Sequence, residues 1–141
     1  MADIGSQEDR SASKVFPRGT VVYIRRLSNM IGRMWRGFAI PERADDYVKH
    51  LQQSVIPELR QIDGFKGVYL LRRNSPDGVE FVVLTLWESM EAIRKFAGEN
   101  PEVAVVAPAA RVLFREYDAE VKHFEIVLNL EGTPLQIRLG V

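Results

Sequence analysis

Few side chains in this chain of 141 residues are equipped for acid–base or nucleophilic chemistry. It has two histidines, His50 and His123, and no cysteine. Thiol nucleophiles, disulfides and thiolate metal sites are therefore excluded, which agrees with a reducing, cytoplasmic setting. Histidine is the natural proton acceptor near neutral pH, and a phenolic proton is the kind it could remove. His123 is the candidate. On an alternating strand it is in phase with Val121 and Glu125, while Phe124 and Ile126 take the other side and pack against helices. His123 then faces a partner subunit or a cavity. His50 lies off the apolar stripe of its helix and is expected to face water. Neither histidine is spaced with a second ligand, so no metal site is expected.

Trp87 is the second catalytic candidate. It ends a strand, and its indole offers a flat apolar wall with one N–H donor. Lining a pocket, it would aim that N–H at a ligand oxygen; the other reading is a tryptophan plugging the core. Arg36 and Arg72 could bind a carboxylate or enolate. Trp35, Tyr69 and Phe81 complete the expected binding set, and Tyr117 is a further possible donor. No Gly-X-Ser-X-Gly, phosphate loop or zinc motif is present. Gly64 and Gly67 are wrongly placed for a dinucleotide fingerprint.

The elements that must hold these residues are legible from periodicity. Residues 31–40 make a first core strand whose weak alternation leaves its inward face open. Pro41 opens a helix, with Glu42, Asp45 and Asp46 in its first turn, where the helix dipole favours negative charge. Ala44, Tyr47, Val48, Leu51, Val55, Leu59 and Ile62 form its apolar stripe. Pro57 should kink it or start a second short segment. Asp63-Gly64 ends it. Residues 65–73 form the second strand, and Asn74-Ser75-Pro76-Asp77-Gly78 is a hairpin turn. The third strand, residues 79–87, is apolar on both faces. A helix follows with Ser89 as cap and Gly98 as stop. Asn100-Pro101-Glu102 caps a short helical run that Pro108 breaks. Residues 119–128 form the fourth strand, Glu131-Gly132-Thr133-Pro134 a turn, and residues 135–139 an edge strand.

The order is β-α-β-β-α-β, an α+β ferredoxin-like fold with one antiparallel sheet and helices on one face. Residues 1–19 are polar and read as disordered or loosely held; residues 20–27 could form a short strand. The organisation expected is an N-terminal extension over 1–29, a domain over 30–128 and a tail or edge strand over 129–141. The doubly apolar third strand needs a cover on its second face. A second copy of the chain is the simplest one. Formal net charge is zero, so nothing favours nucleic acid or an anionic membrane.

Met-Trp-Arg-Gly at 34–37, Asp-Gly-Phe-Lys-Gly at 63–67, Leu-Leu-Arg-Arg at 70–73, Leu-Trp-Glu-Ser-Met-Glu-Ala-Ile at 86–93 and Val-Lys-His-Phe-Glu at 121–125 together resemble an antibiotic biosynthesis monooxygenase domain. The resemblance implies a dimeric α/β barrel with a small-molecule pocket between sheet and helices in each subunit. It implies oxygenation of phenolic or quinol-like molecules without metal or flavin, and so no cofactor. A heme-degrading branch shares the strand-end tryptophan. It also needs an asparagine near Arg36 and a histidine near Val106, and neither residue present can do that work. The expected function is a cofactor-independent monooxygenase with His123 and Trp87 at its centre. The alternative is a non-catalytic dimeric module that binds a small molecule.

Overall fold

The computed structural model describes residues 11–16, 20–25 and 30–130. They fall into two compact units, one of Met30–Glu125 and one formed by the two ends of the chain. In the end unit, β1 (Ser11–Phe16) pairs antiparallel with β2 (Thr20–Arg25), and β2 pairs with β8 (Asn129–Leu130). β1 lies within the stretch expected to be disordered or loosely held. The β-branched run Thr20-Val21-Val22 opens a strand that supplies hydrogen-bonding partners for this polar segment. The turn expected at 131–134 and the edge strand expected at 135–139 lie outside the described residues.

The larger unit is built on β3 (Ile31–Ala39), β4 (Phe65–Ser75) and β5 (Gly78–Trp87). All pairings are antiparallel and the order is β4-β5-β3-β6. The outer edge of β3 is shared by two short strands. β6 (Phe114–Tyr117) pairs with residues 37–39, and β7 (Lys122–Glu125) pairs with residues 31–34. The fourth strand expected over 119–128 is thus shortened to 122–125, and β6 lies before it, where no strand was expected. Between the two pieces, Asp118 N–H still donates to Arg36 O of β3, and the next residues bond to the loop before them: Ala104 N–H donates to Ala119 O, and Val121 N–H donates to Glu102 O.

Pro41–Arg43 is a turn of 3-10 helix leading into α1 (Ala44–His50). Residues Leu51–Val55 are wound as a π-helix, and α2 (Ile56–Leu59) follows. Ile56 N–H reaches Leu51 O, five residues back. Pro57 has no N–H to offer Gln53 O, and the wider turn accommodates the gap. After β5, Ser89 accepts from Ala92 N–H at 3.1 Å and caps α3 (Met90–Ala97); Gly98 ends it at φ +89°. Pro108 opens α4 (Pro108–Arg111), contrary to the expectation that it breaks a helical run. Proline fits the first helical turn, where an N–H would have no partner.

The hairpin between β4 and β5 has Pro76 and Asp77 at its tip. Gly78 sits at φ +125°, and a Cβ there would lie 2.6 Å from Ala39 O, so only glycine closes this turn against β3.

Helices cover one face of the sheet. Trp35, Ala39, Phe81, Val83, Tyr47, Leu51, Leu113 and Phe114 form one buried cluster, and Leu59, Trp87, Ala92 and Ile93 form a second. The other face carries Tyr69 and Leu71, both more than half exposed, with Val82, Leu84 and Leu86 half-buried beside them.

Candidate functional site

A cavity lies between the sheet and the helices. β3 contributes Arg33 and Trp35, and β5 contributes Val83 and Thr85. The first helical layer contributes Tyr47, His50, Leu51, Val55 and Leu59; Phe96 of α3 and the 105–107 loop close it. The volume open to the centre of a water molecule is about 80 Å³. The walls are mostly apolar, and Trp35, Tyr47 and Phe96 supply aromatic surface.

Strand alternation decides which residues reach it. Trp35 faces the helices, meeting Phe114 edge-to-face at 5.3 Å between ring centroids and Tyr47 at 6.1 Å. Its indole N–H is held by Asp118 O at 2.9 Å, so its apolar surface is what it offers the cavity. Two residues earlier, Arg33 must share that face. It is only 5% exposed. Its Nη2 donates to Val103 O at 3.0 Å and to Pro101 O at 3.2 Å, and its guanidinium lies 5.5 Å from the Phe96 ring centre. Its Nε has no hydrogen-bond partner. Burial pulls the Arg33 pKa down to about 10, against the opposing field of Glu102, so the group stays charged at neutral pH.

Tyr47 is 5% exposed, and burial pushes its phenol well above the ordinary value. His50 is half-buried on the cavity wall, its ring centroid 6.2 Å from that of Tyr47. The expectation that His50 faces water is thereby corrected. It lies three residues after Tyr47, so the two rings share a helical side. Thr85 donates to Arg33 O at 3.3 Å and accepts from the Trp87 indole at 2.8 Å.

Trp87 does not line the cavity. It is fully buried in the second cluster, edge-to-face with Phe65 at 5.3 Å and stacked on Phe96 at 5.9 Å. The N–H expected at a ligand oxygen is taken by Thr85. Phe81 is likewise core, fully buried under Tyr47 with centroids 5.0 Å apart.

His123 pairs directly with Arg33 across β3 and β7, and so turns to the helix side of the sheet. Phe124 takes the opposite side and is 49% exposed. This reverses the expected orientation of both. The His123 Nε2 is buried without a partner, and desolvation, then the charge of Arg33, lowers its pKa against the pull of Glu102. His123 is not among the residues lining the cavity.

The remaining candidates lie elsewhere. Arg36, adjacent to Trp35, must point away from the helices; it pairs with Glu80 at 3.5 Å and lines a separate groove with Met34 and residues 118–122. Glu80 is buried between Arg36 and Arg73, the latter at 2.6 Å. Tyr69 is 58% exposed on the open face of the sheet. Arg72 is tied to Asp45 at 2.9 Å, at the rim of the helical layer. Tyr117 packs against Trp35 and Phe114. Of the expected binding residues, Trp35 alone is on the cavity wall. Arg33 and Thr85 escaped the sequence reading, which turned His50 to water, although the two-residue spacing from Trp35 would have exposed Arg33 once Trp35 was known to face inward.

Residues 30–104 match the family model for antibiotic biosynthesis monooxygenases. The chain belongs to this family. Solved structures agree on the fold of this antibiotic biosynthesis monooxygenase domain. A conserved protein from Methanosarcina mazei is 13% identical with a TM-score of 0.55, over 70% of this chain and 94% of its own. A protein from Shewanella oneidensis is 13% identical with a TM-score of 0.54, over 75% and 99%. A Caulobacter crescentus protein, provisionally described as an antibiotic biosynthesis monooxygenase, is 20% identical with a TM-score of 0.54, over 72% and 93%. No curated protein matches the chain.

Against the heme-degrading branch, Val106 stands on the cavity wall and offers no ligand, and Arg36 faces away. These two residues do not fit a heme. Among the described residues, no group of three histidine or acidic side chains could hold a metal, and no helix is long and apolar enough to cross a membrane.

Proposed function

We propose that this protein is a cofactor-independent monooxygenase acting on a small aromatic or quinol-like molecule held in the sheet–helix cavity. The observation that carries the reading is the apolar, aromatic-walled cavity with His50 on its wall, in a domain of the antibiotic biosynthesis monooxygenase family. An imidazole there can take an acidic proton from a phenol or an activated methylene. The resulting carbanion is electron-rich enough to reduce dioxygen itself. In the overall change a ring CH2 becomes C=O, the second oxygen atom leaves as water, and the substrate supplies all four electrons. The protein's part is to bind, to accept the proton and to exclude bulk water.

Among the sequence candidates, His123 has a weaker claim as the base. Its lowered pKa reduces its capacity to hold a proton, and it stands beside Arg33 across the strand pair and is not on the wall. We assign it a supporting role. Trp35 supplies binding surface.

The test is oxygen uptake with dithranol-like and naphthoquinol substrates. Stoichiometric uptake, reduced at least about tenfold in His50→Gln, supports the reading. No uptake above the buffer rate with any of them would refute it. One observation favours a binding module instead: no aspartate or glutamate lines the cavity to pair with His50. Tight ligand binding without turnover would identify that case.

The functional form is a homodimer, with the open sheet faces packed together. Tyr69, Leu71 and Phe124 are each about half exposed on that side in a single chain, which is a large apolar area to leave in water.

A further inference from the structure

The cavity has a charged end that the oxygen chemistry does not require. Arg33 is 95% buried by the exposure of its residue, and two of its hydrogen bonds go to neutral carbonyls. Among the described residues no carboxylate forms an ion pair with it. Its Nε–H has no acceptor. Buried charges are ordinarily paired, and a buried donor left without an acceptor costs free energy. The second buried side-chain nitrogen without a partner is His123 Nε2, on the residue directly opposite Arg33 in the strand pairing. Two basic residues on adjacent strands thus leave unmet hydrogen-bonding capacity in one region, and Arg33 of the two stands on the wall of a mostly apolar cavity.

We propose that Arg33 is a preformed anion anchor: the cavity takes a small ring-bearing monoanion whose oxyanion pairs with the Arg33 guanidinium while the ring lies among Trp35, Phe96, Leu51 and Val83. The inference rests on reading the cavity as a ligand site and is independent of any oxygen step. Charge selects an anion over a neutral carbonyl, because the field of Glu102 does not cancel the desolvation of the guanidinium and an anion offsets the remainder. The cavity supplies no second strong cation, so a dianion would be poorly matched. The space of about 80 Å³ sets the scale at one ring or a compact fused pair. Carboxylates and phenolates or enolates share this chemistry, and the probes separate them.

The full-length protein is titrated by calorimetry with benzoate and with 4-nitrophenolate, at a pH where both are anions. Benzamide and nitrobenzene serve as the neutral counterparts. Each anion should bind at least about tenfold more tightly than its counterpart. The preference should fall below roughly threefold in Arg33→Gln. Tighter benzoate points to carboxylate ligands, and tighter nitrophenolate to phenolates or enolates. Because Arg33 also holds two loop carbonyls, the substitution could unfold the chain. The arginine Nε–H resonance of the wild type, followed by 15N NMR, supplies the answer without a variant. It should shift with benzoate and stay in place with benzamide. Equal binding of anions and neutral probes, no binding of either, or an anion preference that survives in folded Arg33→Gln would each overturn the proposal. Anion-selective binding without oxygen uptake would remove the oxygenase reading and leave the anchor standing. Uptake without charge preference would do the reverse.

Discussion

The Trp87 indole donates to Thr85 Oγ1 at 2.8 Å, and the same hydroxyl donates to the backbone carbonyl of Arg33 at 3.3 Å. The strand-end tryptophan is therefore linked to the cavity through the residue that carries its charge, without touching the cavity itself. A chain of this kind makes Trp87 a structural support for β3 and β5.

Trp87→Phe removes a buried donor and part of a fully buried ring. It should cost roughly 2 kcal/mol in urea unfolding. Oxygen uptake and ligand affinity should change less than about threefold, since the cavity wall is intact. A loss of turnover at full stability would instead return Trp87 to the chemistry.

His123 should make stability depend on pH on the acid side. Its folded pKa lies below the ordinary 6.5, so the unfolded chain binds the proton more readily. The associated stability is present above 6.5 and is lost as pH falls toward the folded value. Thermal melts of wild type and His123→Gln through this window should converge as the pH falls, with the flatter profile in the variant. Parallel profiles would show that His123 titrates normally.

Tyr47 works on the alkaline side. Burial raises its pKa above the ordinary 10.0, so its phenol stays neutral in the fold while the unfolded chain would ionise it. Stability is fully present below 10.0 and declines as pH rises beyond it. Urea midpoints should fall less steeply there in Tyr47→Phe than in wild type. Equal slopes would contradict the burial effect.

The proposed dimer has a direct readout. Light scattering should return twice the chain mass of 16.1 kDa. Leu71 is 53% exposed in a single chain, so Leu71→Glu should fold normally and shift the population toward monomer. A wild-type monomer at micromolar concentration would require another cover for this face.

The β-α-β-β-α-β order was open to a reading of the chain because its signals are local. Ser89 caps the next three residues, Gly78 needs its positive φ for a turn, and Pro41 opens a helix through its own ring. Each depends on neighbours within a few positions. The family resemblance drew on the same local patches, and residues 30–104 match it.

What no local signal contained was the facing of β3 and β7. Two glycines and two arginines interrupt the alternation of residues 31–39, so apolar pattern alone does not say that Arg33 and Trp35 turn inward while Arg36 turns outward. That choice is made by pairing. β5 places Thr85 opposite Arg33, and β7 places His123 there too, which carries His123 to the helix side and Phe124 to the open side. A one-residue change of phase exchanges the two faces of a strand. The identity of each element is written in short-range chemistry, whereas the membership of the cavity depends on registers between segments such as those of Arg33 and His123, far apart in the chain, and only the assembled sheet sets those.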